Sequence, residues 1–147
     1  MDVNGVIRDV MPLLRSELQR HRVAAQVDLA EALPPVLADP VQLQQVIINL
    51  LVNAVEAMAS IDDRPREIVI RSRFDEEVIV SVRDAGVGID PGAVDQLFSA
   101  FFSTKPGGMG MGLSISRSII EAHGGRFWAT PNADHGASFH FTLPALR

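Results

Sequence analysis

Cysteine is absent from the 147-residue chain, which rules out disulfides and thiolate metal sites and fits a reducing compartment. No apolar run approaches the ~18 residues that a membrane-spanning helix needs, and Met1-Asp2-Val3-Asn4 has none of the character of a signal peptide. Positive charge is not in surplus. Lys and Arg number 13 against 18 Asp and Glu, a net charge of −5, which argues against a nucleic-acid surface while leaving room for a local phosphate-binding loop. Low-complexity tracts and internal repeats are also lacking. What is left is a single domain over residues 1–147, with a hydrophobic content of 47%, enough for a buried core. The expected setting is the cytosol, without direct membrane contact.

The apolar residues Val3, Val6, Ile7, Val10, Leu14 and Leu18 fall at helical spacing behind Asp2 as N-cap. Pro12 interrupts them and predicts a kink or break. Residues 24–29 read as a short strand. Asp39-Pro40 reads as an N-cap and first helical residue, opening a helix to about residue 60 with one broad stripe: Leu43, Val46, Ile47, Leu50, Leu51, Ala54, Val55 and Met58. Residues 67–74 and 78–83 form a hairpin joined at Asp75-Glu76. Its alternation puts Ile68, Ile70, Val78, Val80 and Val82 on one face and Arg71, Arg73, Ser81 and Arg83 on the other, so one face is covered and one is wet. A short helix is expected over residues 91–98 and another over 112–123, stopped by Gly124-Gly125. A last hairpin joins residues 126–130 and 138–143. These elements predict an α/β fold, a mixed sheet layered with helices on one side, and not the strict alternation of a doubly wound nucleotide fold.

Three constellations carry chemistry. Asn49 and Asn53, four residues apart, share a helix face at the rim of the apolar stripe, with Glu56 continuing that edge. Their amides can ligate a hard cation beside phosphate oxygens, or simply cap nearby backbone. Asp84 ends a strand and is followed by Gly86 and Gly88. A carboxylate accepts hydrogen bonds only, so it can select the exocyclic amine of adenine over the carbonyl of guanine; otherwise it is an Asp-Gly turn. Finally, Lys105-Pro106-Gly107-Gly108-Met109-Gly110-Met111-Gly112-Leu113 places Gly108, Gly110 and Gly112 ahead of a helix start, where backbone N–H groups and a partial positive charge suit phosphate. The spacing is not that of a dinucleotide fingerprint. With Phe101 and Phe102 before it, the segment reads as a lid.

The order of these motifs (Asn49-Leu50-Leu51-Val52-Asn53-Ala54, Asp84-Ala85-Gly86-Val87-Gly88, Phe101-Phe102-Ser103-Thr104-Lys105-Pro106, Gly108-Met109-Gly110-Met111-Gly112-Leu113 and Glu121-Ala122-His123-Gly124-Gly125) resembles the catalytic ATP-binding domain of bacterial sensor histidine kinases. The short-lid kinases of oxygen-sensing and nitrogen-regulatory type are the nearest in pattern. The resemblance implies a two-layer Bergerat-type α/β sandwich, with about five strands against three main helices. It implies ATP and Mg²⁺ as ligands: Asn53 and Asn49 on the metal, Asp84 on the adenine amine, Gly86 and Gly88 lining the base pocket, and Gly108, Gly110, Gly112 and Leu113 around the phosphates. Lys105 would reach the γ-phosphate, and Ser138 would lie near the adenine. The phosphate would pass to a histidine on a separate dimerisation domain, which this chain lacks, and thence to a response regulator. The isolated domain is expected to be monomeric and, alone, inactive.

Departures from the family pattern sharpen the reading. Hydrolysing relatives of gyrase and mismatch-repair type carry a Glu where Asn49 stands, and an amide cannot take a proton from water. Glu56 stands where many histidine kinases have Lys, leaving Lys105 for the phosphate. Ser99-Ala100 replaces a common Glu-Pro. None of His21, His123, His135 and His140 has the setting of a phosphoacceptor; His123, in a last helical turn, is expected to favour the helix dipole as a cation. The rival readings are an ATPase module, a nucleotide-gated interaction domain, and a serine kinase of anti-sigma type.

Overall fold

The computed structural model describes residues 1–89 and 112–146. The elements run α1 (Val3–Leu13), α2 (Arg15–Arg20), β1 (Ala24–Asp28), α3 (Pro40–Ala57), β2 (Glu67–Asp75), β3 (Glu77–Asp84), α4 (Gly112–Ala122), β4 (Phe127–Pro131) and β5 (Ala137–Pro144). The short helix expected over residues 91–98 lies outside the described residues. The five strands form one sheet in the order β1-β2-β3-β5-β4. Only β1 and β2 run parallel; the other neighbours are antiparallel. The mixed sheet with helices on one face is as expected.

Local chemistry sets the boundaries. The Asp2 carboxylate accepts from Asn4 N at 3.1 Å and starts α1. Pro12 has no N–H to offer the preceding turn, and the expected break comes at Leu14, which separates α1 from α2. Asp39 caps α3 through Val41 N and Gln42 N, at 2.9 and 3.2 Å, with Pro40 in the first turn. All eight stripe residues of α3 are buried. The β2–β3 turn is tighter than expected: Asp75 pairs with Glu77, leaving Glu76 alone at φ 63°.

The covered face of the sheet carries Ile68, Ile70, Val78, Val80, Val82, Phe139, Phe141 and Leu143, all buried under α1, α3 and α4. Ser72 interrupts this apolar row. Its hydroxyl donates to Asn4 Oδ1 at 2.7 Å and accepts from Ala30 N at 3.0 Å, while Asn4 Nδ2 donates to Ala30 O at 2.7 Å. Three polar groups thereby satisfy one another inside the core. The first and last described residues meet the loop before α3: Met1 and Val36 exchange backbone bonds, Ala145 bridges Val36, and Leu146 N donates to Pro35 O at 2.8 Å.

Helix α4 is fastened at both ends. At its C-terminus, Gly125 packs so closely that a Cβ would lie 1.8 Å from Thr142 O. His123 Nδ1 lies 2.7 Å from Ile119 O and Nε2 accepts from Asp39 N at 3.2 Å. A carbonyl oxygen requires a donor at Nδ1 and a backbone N–H requires an acceptor at Nε2, so the ring is a neutral Nδ1–H tautomer. The expected cation on the helix dipole is therefore corrected: His123 works as a neutral bridge between the end of α4 and the cap of α3.

The open face is polar, as the alternation predicts. Arg71 pairs with Asp28 at 3.0 Å and Arg83 with Asp134 at 2.8 Å. His140 sits between Ser81 Oγ at Nδ1 (2.8 Å) and Thr130 Oγ1 at Nε2 (2.9 Å), with Trp128 stacked on it at 5.1 Å and Arg126 over the indole at 5.3 Å. Burial, and secondarily the Arg73 charge, push the His140 pKa below its ordinary 6.5. A neutral ring is thus favoured by folding, and the unfolded chain binds the extra proton first. Stability from this group is complete above the unfolded pKa and lost as pH falls through the lower folded value. Urea unfolding between about pH 7.5 and 5 should show a stability decline that flattens in His140→Gln; an identical slope in the variant would remove His140 as its source.

Candidate functional site

Asp84 continues the inward row of Val80 and Val82 to the end of β3, so its carboxylate lies on the covered side of the sheet and is 3% exposed. Two backbone N–H groups fix Oδ1: Gly86 N at 2.9 Å and Ala137 N at 3.2 Å. In both bonds the side-chain oxygen is the acceptor, the chemistry needed to read an amine. The turn between β4 and β5 closes over it. Asn132 Nδ2 donates to Asp84 O at 3.0 Å and to His135 O at 2.8 Å. Gly136, at φ 77°, approaches so near that a Cβ would fall 2.3 Å from Asp84 O and 2.6 Å from Oδ1. In the same turn, the N–H groups of His135 and of Asp134 itself, with Arg83 nearby, hold the exposed Asp134 carboxyl below its ordinary range.

After Asp84 the chain packs on the end of α3. Val87 N donates to Ala57 O at 3.0 Å, and a Cβ on Gly86 would lie 2.4 Å from that oxygen. Gly88, at φ 83°, faces Gly136 O. Helix α3 then links this loop to α4. Asn49, Asn53 and Ala57 follow one another at four-residue steps along one edge, a length of roughly 12 Å. Both asparagines are half-buried. At the far end Asn49 Nδ2 donates to Ser116 Oγ at 3.1 Å and Gly112 O at 3.3 Å, while its Oδ1 accepts from Gln45 Nε2 at 2.8 Å. The edge of α3 therefore runs from the buried carboxylate loop to the N-terminus of α4, an acceptor at one end and a helix start at the other.

A family model described as histidine kinase-, DNA gyrase B- and HSP90-like ATPase matches residues 38–147. The chain belongs to this ATPase family. Sensor protein FixL of Bradyrhizobium diazoefficiens is 54% identical over 110 residues, covering 75% of this chain and 22% of FixL. The catalytic domain of the histidine kinase ThkA, solved nucleotide-free, superposes with a TM-score of 0.86 at 35% identity, covering 99% of this chain and 93% of that domain; ThkA was also solved in complex with the response regulator TrrA (TM-score 0.83, 34% identity, 99% and 41% covered). Full-length ShkA in complex with AMPPNP gives 0.85 at 28% identity, covering 99% of this chain and 30% of ShkA. The ATPase-family chain thus spans about a fifth of FixL but nearly all of an isolated histidine-kinase catalytic domain.

Within this ATPase fold the predicted site residues divide cleanly. Asp84, Gly86 and Gly88 cluster at one end of the α3 edge; Asn49 and Gly112 meet at the other, with Leu113 following in the first turn of α4 and Asn53 between. Ser138 pairs in register with Arg83 on the opposite face from Ala137 and Phe139, and its hydroxyl donates to Asn132 Oδ1 at 2.6 Å. It is joined to Asp84 through Asn132, not placed beside it. Lys105, Gly108, Gly110, Phe101 and Phe102 lie outside the described residues. Asn132, Gly136 and Arg64 escaped the sequence reading; an Asn four residues ahead of a Gly in a hairpin turn was the available signal for the first two.

The Gly86 contact makes a signed prediction. Gly86→Ala should lower stability by about 2 kcal/mol or more, because the new methyl meets backbone that cannot move aside. Gly5→Ala, in the first turn of α1 with its nearest neighbour, the Asp2 carboxylate, 3.4 Å away, should gain up to about 0.5 kcal/mol from helix propensity. Thermal melts of the pair check both signs.

Proposed function

We propose that this chain is the catalytic ATP-binding domain of a sensor histidine kinase. The observation that carries the reading is the buried Asp84 carboxylate at one end of the α3 edge and the α4 N-terminus at the other. The base sits against Asp84, Gly86 and Gly88, with its exocyclic amine donating to the carboxylate. The phosphates lie towards Gly112 and Leu113 and the segment carrying Gly108, Gly110 and Lys105. The amide oxygens of Asn53 and Asn49 are hard neutral donors of the kind Mg²⁺ takes alongside phosphate and water, so the residues fit that ion. When bound, Mg²⁺ supplies charge neutralisation on the phosphates. Asn49 would have to exchange its Gln45 partner to join it.

In the reaction, the γ-phosphoryl leaves the β-phosphate oxygen for an imidazole nitrogen on the separate dimerisation domain, releasing ADP. Such transfer depends mainly on positioning and charge, so one domain can hold the nucleotide while another brings nucleophile and base. The phosphate then passes to a response regulator. The reading puts the domain in the cytoplasm, where ATP is available. The ATPase alternative is disfavoured by Asn49: its amide braces α4 and cannot accept a proton from water.

Incubation with a dimerisation domain and γ-labelled ATP should label that domain with acid-labile phosphate. Acid-stable label would indicate serine transfer, and rapid phosphate release by the chain alone would indicate an ATPase. In calorimetric titration Asp84→Asn should weaken ATP binding at least ~10-fold, since a charged hydrogen bond contributes about 1.5–3 kcal/mol; unchanged affinity would remove Asp84 from the site.

A further inference from the structure

The loop after α3 delivers a guanidinium to the Asp84 turn. Arg64 Nε donates to Ala85 O at 3.0 Å and Nη2 to Gly86 O at 2.7 Å, while Nη1 meets Asp63 Oδ1 at 3.1 Å. The side chain is 19% exposed and its charge is balanced by Asp63, which is 69% exposed. The two carbonyls belong to consecutive peptide units. A trans peptide points its N–H opposite to its C=O, so each unit is held at both ends. The first unit's N–H, on Gly86, donates to Asp84 Oδ1; the second's, on Val87, donates to Ala57 O. Arg64 grips the oxygen end of both.

We propose that Arg64 is a positioning residue for base recognition: its planar fork fixes the 85–86 and 86–87 peptides and thereby aims the Asp84 carboxylate. The proposal rests on the reading that Asp84 receives the adenine amine. A fork holds its donors in one plane at a fixed spacing and so sets two carbonyls relative to each other, whereas the three donors of a lysine ammonium radiate from one freely rotating nitrogen and impose no plane. Without the fork, nothing else among the described bonds holds Ala85 O, the 85–86 peptide can rotate, and Gly86 N–H leaves Oδ1. The carboxylate then keeps Ala137 N–H but loses the shorter of the two backbone bonds on Oδ1, and the orientation that separates an amine from a carbonyl on the base loosens. Gly86 makes this dependence acute, because a residue without Cβ has little steric preference of its own.

The test titrates ATP and GTP into wild type, Arg64→Lys, Arg64→Ala and Asp84→Asn at a temperature well below every melting midpoint. Arg64→Ala should bind ATP ~10-fold more weakly, the loss of about one charge-assisted hydrogen bond, and the ATP-to-GTP preference should fall by a similar factor. Arg64→Lys should recover less than half of either loss while melting within a few degrees of wild type, so a misfolded alanine variant leaves the question decidable. Equal weakening of ATP and GTP in the lysine variant would make Arg64 merely structural and overturn the proposal. ATP affinity within twofold of wild type in both Arg64 variants, with Asp84→Asn impaired, would overturn it while the base reading stands. Unchanged binding in Asp84→Asn would overturn the base reading and this proposal with it.

Discussion

The bond from Val87 N to Ala57 O joins the sheet to the helical layer without any side chain. A helix C-terminus leaves carbonyls that must find donors, and α3 finds one in the strand-end loop that follows Asp84. The approach is possible only because residue 86 has no Cβ. Much else follows from this contact. It sets the depth at which β3 ends under α3, and so the depth of Asp84. It also makes the α3 edge one rigid strip, since the spacing from Ala57 back to Asn53 and Asn49 is that of the helix itself.

At the other end of the strip the constraint is of a different kind. Helix α4 is held by side chains, Asn49 at its start and His123 at its finish. Both are neutral and both act as donor and acceptor at once. Charged residues at the same places would bind one partner more strongly and reject the other. Neutral bifunctional groups keep two helices in register while leaving the field around the helix start to the backbone dipole.

The helices and strands were legible because each depends on its own residues: the Asp39-Pro40 start, the period of the α3 stripe, the alternation in β2 and β3. The tight clusters were not. Ser72 interrupts an apolar row, and nothing nearby in the chain announces Asn4, 68 residues away, as its partner. Arg64 sits in Asp62-Asp63-Arg64-Pro65, a stretch whose composition says only that it is a turn; its meaning appears only when the end of β3 is brought alongside. His123 was legible as a helix-end histidine, and the helix dipole favoured a cation there. The Asp39 N–H, 84 residues away, reverses that preference because it needs an acceptor. Ser138 shows the limit of a motif match: the residue is at the expected place in the chain, while strand alternation turns its hydroxyl to the other face.

The seam at residues 35–36 gives the molecule a topological property. Met1 bonds to Val36 on one edge of this segment, while Leu146 bonds to Pro35 and Ala145 bridges Val36 on the other, so the first and last described positions flank one extended strand, roughly two strand spacings, or about 10 Å, apart. A short linker between them would close the chain into a ring with no strand displaced, and the covalent order of the elements could then be opened elsewhere. Compact domains with adjacent ends tolerate such circular permutation well.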